Sequence, residues 1–378
     1  MIGKKTFKIY YTVISMSKKI KVYLQYPWGS SDSQYYKSMI DNPPRGVEYI
    51  ETKEKVGMIG SNNKFFISNF LKYQIRKWTN KAGLIIPNAH FTKNSEEYDL
   101  IHCAHCLSKN NNKPWVADAE SLWQMWISGM NKRGAKEKVL KYLMKDNCKK
   151  IMAWSEAAKR DIVNKFPEIR DKVEVVYYGM REQEQKAKKS EEIILFFSGR
   201  HFLPKGGLHA TEVIDRLTKK YENVRGIING VIPKDIIKKY SHNKKLEFYQ
   251  LMPYKDILKI YQKSDIFVYP GYSDSFGFVF MDAMAFGLPI VTVDNGGCRR
   301  EIVKNEFIVN IDQLDKLDIF NLDEKIISKL CGKVSLLIEN RRLRDKISGE
   351  GLKNIANGKF SIKKRNEKLE KIYTEAMK

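Results

Sequence analysis

Two carboxylates, Asp274 and Asp282, lie eight positions apart in a largely apolar stretch at 269–301. Between them, at Gly277 and Phe278, an apolar helical pattern begins. The first N–H groups of a helix have no partner within the helix and favour an anion such as phosphate, whereas carboxylates accept hydrogen bonds from hydroxyl groups. The stretch therefore suits an anionic ligand with hydroxyl groups. The alternatives are a buried strand–helix–strand core with incidental carboxylates and a membrane span, which Asp282, Pro289 and two glycines interrupt.

A basic loop with several glycines follows a predicted buried strand at 193–197. It contains Gly199, Arg200 and Lys205, and a helical pattern at 209–221 comes after it. The planar guanidinium of arginine and the compact charge of lysine both suit a diphosphate. The loop is not a P-loop, because no Gly-Lys-Ser/Thr follows four variable residues. A diphosphate cradle and an ordinary basic turn are both consistent with these residues.

One cluster, at 102–106, resembles a set of metal ligands. His102 and His105 are three positions apart, and so are Cys103 and Cys106. Successive side chains of a strand point to opposite faces, so these four cannot easily surround one zinc ion. Three interpretations remain open: a strand whose carboxyl end presents a histidine to a cleft, ordinary packing, and a metal site.

Strands and helices alternate along the chain and must position these residues. Apolar runs predict strands at 20–26, 46–50, 113–117, 151–155, 173–178, 193–197, 224–230, 246–249, 266–269 and 290–293. The alternation with helical patterns predicts an α/β fold with doubly wound parallel sheets, which bind ligands at the carboxyl ends of their strands. Gly29 lies in one such strand-to-helix loop, which could hold a ligand or be a tight structural turn.

Length and composition predict two domains, since the chain has 378 residues. A charged segment at 183–192 is the predicted linker between a first domain at 18–182 and a second at 193–356, and a final helix follows at 357–378. Residues 1–17 are interpreted as an N-terminal extension, because no small-residue cleavage pattern follows their short apolar run. The five cysteines, an odd number, indicate a reducing cytoplasm.

The chain is strongly basic: 68 Lys and Arg against 44 Asp and Glu give a net charge of +24. Nucleic acid, an anionic membrane and a phosphorylated substrate are all attracted by such a charge. No recognisable nucleic-acid-binding motif accompanies it, so we expect no specific nucleic-acid partner. No clean apolar run of about 18 residues occurs either, which predicts a soluble or peripheral protein, the latter on the inner face of a membrane.

Residues 62–81 predict an amphipathic helix with interleaved basic residues. The apolar face contains Ile67, Phe70, Leu71, Ile75 and Trp78, and the basic residues are Lys64, Lys72, Arg76, Lys77 and Lys81. Such a helix could lie on an anionic membrane, or it could face the core with a solvated basic side. The same two interpretations apply to 121–145, which contains Trp123 and Trp126.

Four motifs in the second half, taken in order, resemble the retaining family-4 glycosyltransferases (glycosyl transferases group 1), which have the GT-B fold. They are FSGRHFLPKGG, YPGYSDSFGFVFMDAMAFGLPIV, DNGGCRREIV and KFSIKKRNEKLEKIYTEAM. The likeness covers roughly residues 192–378, and the first half is similar only in layout, through PWGSS, DLIHCAH and WSEAAKRD. It implies two Rossmann-like domains that face a cleft and a last helix that crosses back to the first domain.

The resemblance also implies roles for individual residues. Arg200 and Lys205 would hold the donor diphosphate and offset the charge on the departing nucleotide. Asp274 would hold sugar hydroxyls, and Asp282 would bind the ribose. The implied donor-binding set is Gly199, Arg200, Lys205, Asp274, Phe276, Gly277, Phe278, Asp282 and Glu301, the acceptor or cleft set is Gly29, His102 and His105, and the catalytic set is Arg200, Lys205, Asp274 and His105. Neither a metal ion nor a cofactor is implied.

The implied activity moves a sugar from a nucleotide-diphosphate sugar, by default a UDP-sugar, to a hydroxyl of a glycan, a glycolipid or a protein-linked glycan. Configuration would be retained, and the leaving phosphate would take the acceptor proton. One departure is evident, because the family usually has Glu where this chain has Asp274 and Asp282. Each Asp is shorter by about 1.5 Å, and a misplacement of about 1 Å can cost ~10²-fold in rate. The backbone could lie closer, the donor could differ, or the chain could be a weakened enzyme that serves as a nucleotide- or partner-binding module.

Overall fold

The computed structural model describes residues 19–25, 34–50, 62–92, 97–184, 191–311 and 313–378. The predicted extension at 1–17 and the loop that contains Gly29 lie outside these residues.

The first domain is built on a six-stranded parallel sheet. The domain has ten strands within its described residues, which are β1 Ile20–Gln25, β2 Val47–Ile50, β3 Ile86–Pro87, β4 Ala89–His90, β5 Leu100–Cys103, β6 Leu107–Ser108, β7 Trp115–Ala119, β8 Trp126–Ser128, β9 Cys148–Ala153 and β10 Val173–Val175. Its helices are α1 Gln34–Asp41, α2 Asn62–Lys81, α3 Ala135–Leu143 and α4 Glu156–Lys165. The sheet order is β10-β9-β7-β5-β1-β2, and β3 pairs with β8 and β4 with β6 outside this sheet. Every residue of β5 and β7 is buried, as is typical of a parallel sheet covered on both faces.

The second domain repeats this architecture. Its strands are β11 Ile193–Gly199, β12 Val224–Gly230, β13 Leu246–Tyr249, β14 Ile266–Val268, β15 Ile290–Val293 and β16 Ile308–Val309. Its helices are α5 Gly207–Lys220, α6 Lys234–Tyr240, α7 Tyr254–Lys263, α8 Phe278–Ala285, α9 Arg299–Ile302, α10 Glu324–Glu339 and α11 Arg341–Ala356, and α12 Ile362–Ala376 ends the chain. All six strands are parallel, in the order β13-β12-β11-β14-β15-β16.

The strand order of each sheet reverses at one point, between β1 and β5 in the first sheet and between β11 and β14 in the second. Open α/β sheets bind ligands at the carboxyl ends of the strands beside such a point. The loop after β11 contains Lys205, the loop after β14 contains Asp274, and His105 follows β5. The predicted α/β fold with doubly wound parallel sheets is confirmed, and it brings Lys205, Asp274 and His105 to these two edges.

The last helix, α12, crosses back to the first domain, as predicted. Its Tyr373 hydroxyl lies 2.9 Å from the Tyr49 hydroxyl on β2. The fully buried Arg365 donates to the Ser38 hydroxyl at 3.0 Å and to the Asn42 carbonyl at 2.8 Å, both in the segment around α1. These bonds satisfy a buried guanidinium and fix the end of the chain against the first sheet.

The stretch at 121–145 is not one amphipathic helix, so both interpretations of it are wrong. Gly129 and Gly134 adopt the left-handed region, with φ of 78° and 81°, and separate β8 from α3. Trp126 is buried and donates its indole N–H to the Ala135 carbonyl at 3.1 Å. Within the described residues, no helix combines the length and the apolar character needed to cross a bilayer.

Candidate active site

Lys205 and Asp274 come from the two loops that flank the reversal point of the second sheet, and they meet there. The Lys205 ammonium lies 3.1 Å from an Asp274 carboxylate oxygen and donates to the Ser273 carbonyl at 2.7 Å. The close approach of the first loop depends on Gly199, where a Cβ would lie only 2.9 Å from the Lys205 Cβ. Two residues that the sequence predicted for one site are therefore in direct contact.

Asp274 is held from several directions. The Tyr269 hydroxyl donates to its second carboxylate oxygen at 2.7 Å, and the Asn295 amide donates to its backbone carbonyl at 2.8 Å. Burial, together with the Asp274 charge, raises the pKa of Tyr269 well above its usual range, so the phenol stays a donor. Asn295 also accepts a hydrogen bond from Gly297 N–H at 3.1 Å, which joins the Gly-Gly loop to this carboxylate loop.

Asp282 also accepts a hydrogen bond from a tyrosine. It lies within α8 and is only 8% exposed, and the Tyr254 hydroxyl donates to it at 2.5 Å. Burial raises the pKa of Asp282 to about 7, and the Tyr254 hydrogen bond opposes that shift. Near neutral pH this carboxyl group therefore exists in both protonation states, unlike an exposed aspartate.

The helix predicted after Gly277 begins at Phe278, as expected. Gly277 has a φ of 80°, and a Cβ at this position would lie 2.8 Å from the Phe280 ring, so only glycine fits. The first turn of α8 presents N–H groups that have no partner within the helix. This geometry agrees with the predicted anion-binding role of Gly277 and Phe278, which stays a prediction.

Phe276 and Phe278 carry aromatic rings into the interface between the domains. The Trp154 ring, which follows β9 of the first domain, lies 6.1 Å from the Phe276 ring and 5.3 Å from the Phe278 ring, centroid to centroid. The Tyr178 ring lies 5.0 Å from the Phe278 ring. The predicted donor-binding segment is therefore packed against the first domain through aromatic edges.

His105 belongs to the first-domain side of this interface. Its ring lies 4.6 Å from the Trp154 ring, and its backbone has a φ of 54°, which is uncommon for a residue other than glycine. Burial lowers its pKa, with the nearby Glu120 and Asp118 opposing the shift. Its Nδ1 atom has no hydrogen-bond partner within the described part of the chain. One aromatic ring, that of Trp154, thus separates His105 from Phe278.

His102 does not reach the cleft, which corrects its predicted placement. It is completely buried, with its Nε2 atom 2.7 Å from Asp118 and its Nδ1 atom 2.6 Å from the Tyr373 hydroxyl of α12. Cys103 and Cys106 turn elsewhere, since the Gln25 amide lies 3.7 Å from both sulfurs. Among the residues that the structure describes, no group of three or more potential ligands is arranged to hold a metal ion.

Glu301 contacts the first domain. Its carboxylate accepts hydrogen bonds from the backbone N–H groups of Glu156 at 2.9 Å and Ala157 at 3.0 Å, and from the Tyr177 hydroxyl at 2.9 Å. These N–H groups belong to the first turn of α4, where a carboxylate is favoured by the helix dipole. The Glu301 carboxylate oxygens, which the sequence predicted to contact a nucleotide, therefore form a bridge between the two domains.

Arg200 directly follows β11 and is half-buried at the same sheet edge as Lys205. A second arginine, which the sequence prediction missed, lies under the Asp274 loop. Arg299 is completely buried, donates to the Gly271 carbonyl at 2.9 Å, and stacks its guanidinium 4.6 Å from the centre of the Phe280 ring. Its Nε and Nη1 atoms have no acceptor among the described residues. The only sequence signal for it was its place after Gly296-Gly297.

The chain is similar to known proteins. Residues 180–351 match the family model described as Glycosyl transferases group 1. This part of the chain is similar to that family. The Phosphatidylinositol N-acetylglucosaminyltransferase GPI3 subunit of Saccharomyces cerevisiae is 23% identical over 193 residues, which are 50% of this chain and 42% of that protein. The alignments with the first yeast relatives thus span only 34% to 42% of their length.

Two solved structures extend the likeness to the whole fold. A glycosyltransferase from Rickettsia africae superposes with a TM-score of 0.61 at 16% identity, over 96% of this chain and 100% of that one. HepE from Anabaena, in complex with UDP, gives a TM-score of 0.61 at 13% identity, over 94% and 100% of the two chains. The predicted GT-B fold of two Rossmann-like domains is therefore confirmed.

Proposed function

We propose that this protein transfers a sugar from a nucleotide-diphosphate sugar to an acceptor hydroxyl, with retention of configuration. One observation carries the proposal: the Lys205 ammonium and an Asp274 carboxylate oxygen lie 3.1 Å apart at the reversal point of the sheet in the second domain. A cation for phosphate and a carboxylate for sugar hydroxyls are thereby combined where such sheets bind ligands. The Anabaena neighbour with UDP supports a UDP-sugar as the donor.

In this proposal the charges of the site act on the leaving group. Lys205 and Arg200 offset the negative charge that builds up on the diphosphate as the bond to the sugar breaks. The N–H groups at the start of α8 assist them, because helix N-termini favour phosphate. No protein nucleophile is assigned, and the departing phosphate oxygen takes the proton of the acceptor hydroxyl. Asp274 holds sugar hydroxyls, and Asp282 accepts hydrogen bonds from the ribose.

The acceptor in this proposal is a hydroxyl of a glycan or glycolipid. The name of the yeast relative states a phosphatidylinositol acceptor, which supports a lipid-linked substrate for this chain. His105 is the first-domain residue proposed to face the reacting sugar. Its lowered pKa keeps the imidazole neutral at physiological pH, so that it can accept or donate one hydrogen bond without adding charge.

A second candidate function, a nucleotide-binding module with weak or no transfer, is favoured by one specific observation. Both carboxylates are aspartates, and each is already bonded to a tyrosine hydroxyl, Asp274 to Tyr269 and Asp282 to Tyr254. These bonds hold short side chains in place and reduce their reach toward a ligand. Turnover of any nucleotide sugar would remove this candidate.

A panel of nucleotide sugars separates the two functions. Each donor is tested for a rise in the thermal unfolding midpoint and for release of nucleoside diphosphate in the presence of candidate acceptors, with and without EDTA. We expect release of nucleoside diphosphate with EDTA present. We also expect a product whose anomeric configuration, determined by NMR, matches that of the donor. Stabilisation without release would favour the binding module, and neither effect with any donor would overturn both functions.

A further inference from the structure

The apolar face of α2 is exposed, which makes the core-facing interpretation of this helix wrong. Its exposed large side chains are Ile67 at 61%, Phe70 at 60%, Leu71 at 56%, Ile75 at 43% and Trp78 at 73%. Positions three or four apart in a helix lie above one another on one side. These five side chains therefore form one continuous apolar stripe rather than scattered surface residues.

The side of α2 opposite the stripe contacts the first domain. Trp123 is 45% exposed, and the Arg76 guanidinium lies 5.0 Å from the centre of its ring. Leu84, just after the helix, is 49% exposed. Arg76 is three or four positions from none of the stripe residues, so its contact with Trp123 leaves the stripe facing away from this part of the domain.

The charges of α2 select among possible occupants of the stripe. The 20-residue helix contains Lys64, Lys72, Arg76, Lys77 and Lys81 but no acidic residue. Lys72, Arg76, Lys77 and Lys81 are exposed. A second copy of this chain, paired face to face through α2, would bring two sets of like charges together, whereas an anionic surface would neutralise them.

We propose that α2 binds the surface of an anionic lipid bilayer. The stripe enters the boundary between headgroups and acyl chains, and the ammonium groups of the flanking lysines contact lipid phosphates. The helix lies in the plane of the surface, since its basic residues prevent it from spanning the hydrocarbon. This inference does not rest on the proposed function, because binding to vesicles requires neither donor nor acceptor.

Two independent contributions predict the size of the effects. Each basic residue near an anionic surface contributes about fivefold in affinity, so Lys72→Glu with Lys77→Glu should weaken binding by about 25-fold or more. Removal of a large aromatic side chain from the interface costs about tenfold, so Phe70→Ser with Trp78→Ser should weaken binding by about 100-fold. Only the charge contribution should fall as salt is raised.

The experiment is flotation with vesicles of phosphatidylcholine alone or mixed with phosphatidylglycerol, at low and high salt, using the full chain. Matched controls carry the same kinds of change in the second domain, Phe320→Ser for the apolar substitution and Lys238→Glu with Lys239→Glu for the charges, all at exposed positions. Circular dichroism and the unfolding midpoint establish that every variant is folded. The controls should float as the wild type does.

The position of Trp78 gives a second, local measurement. Fluorescence is compared between wild type and Trp78→Phe in vesicles whose acyl chains carry bromine, and the difference is the signal of Trp78. Quenching of that difference signal places the stripe in the bilayer. Failure of the wild type to float with anionic vesicles would overturn the proposal. Flotation of both α2 variants to the same extent as the wild type would also overturn it. Vesicle-independent dimerisation that the α2 variants abolish would overturn it in favour of a second copy.

Discussion

The Glu301 carboxylate lies 3.0 Å from the Ala157 nitrogen, so a residue of the second domain caps a helix of the first. Nearby, Ser275 donates to Glu120 at 2.5 Å across the same boundary. Since Asp274 and Ser275 are consecutive, the loop that holds the proposed sugar-binding carboxylate is tied to the first domain. The spacing of the two domains therefore bears directly on the geometry of the site.

Glu301→Ala should loosen this arrangement. Loss of a carboxylate cap at a helix N-terminus costs about 1–2 kcal/mol, so we expect a lower unfolding free energy and a larger radius of gyration by small-angle scattering. Glu306→Ala, at an exposed position of the same domain, is the matched control and should change neither. Scattering and stability equal to wild type in Glu301→Ala would show that the cap does not hold the domains.

Lys205→Ala should reduce transfer strongly while leaving the fold intact. Removing a preorganised charge that stabilises the transition state costs about 10²-fold or more in kcat. Release of nucleoside diphosphate measures the effect, and Lys205→Arg should restore part of the activity because it keeps the charge. Lys244→Ala removes an exposed lysine of the same domain and should have no effect. Full activity of Lys205→Ala would contradict the assignment of this residue.

Asp282 should make stability depend on pH. Its pKa of about 7 in the folded protein exceeds the ordinary value of 3.8, so the folded state binds more protons than the unfolded state between these values. Stability from this group is therefore complete at low pH and is lost as pH rises from about 4 through 7. Asp282→Asn lacks this loss. From pH 4 to pH 8, the unfolding free energy of Asp282→Asn should therefore rise relative to that of wild type by on the order of 1–3 kcal/mol.

Denaturant titrations of wild type and Asp282→Asn across that range measure the difference, and a constant difference would contradict it. Donor affinity should respond in the opposite sense. An ionised carboxylate accepts stronger hydrogen bonds from hydroxyl groups, so wild-type donor binding should improve as pH rises through about 7. Asp282→Asn should bind donor more weakly at pH 8 and show little of this rise.

Tyr373→Phe should weaken the docking of α12. The substitution removes the hydroxyl that bonds to His102 at 2.6 Å and Tyr49 at 2.9 Å, and it leaves a buried imidazole nitrogen without this partner. An unsatisfied buried polar group costs about 1–3 kcal/mol, which denaturant unfolding can measure. Tyr98→Phe, at a half-buried position outside this network, should cost much less. Equal costs for the two variants would argue against a stabilising role for the network.

The sequence predicted the α/β sheets and the Lys205 and Asp274 loops well. Buried parallel strands are short apolar runs, and the loops after them are marked by glycine, proline and charge. Helix α2 also begins and ends where its pattern predicted. Such features depend on residues close together in the chain, and so a local pattern is enough to find them.

Only the tertiary structure decided which partner each side chain has. His102 and Tyr373 are 271 positions apart, and Glu301 and Ala157 are 144 apart, so no local pattern could indicate that these atoms meet. The exposure of α2 was undetermined for a related reason, since periodicity shows which residues share a face but not whether anything covers it. The sequence by itself thus determined the fold and the kinds of group in the site. Long-range packing decided that Glu301 bridges the domains, that His102 is buried under α12, and that the apolar stripe of α2 faces outward.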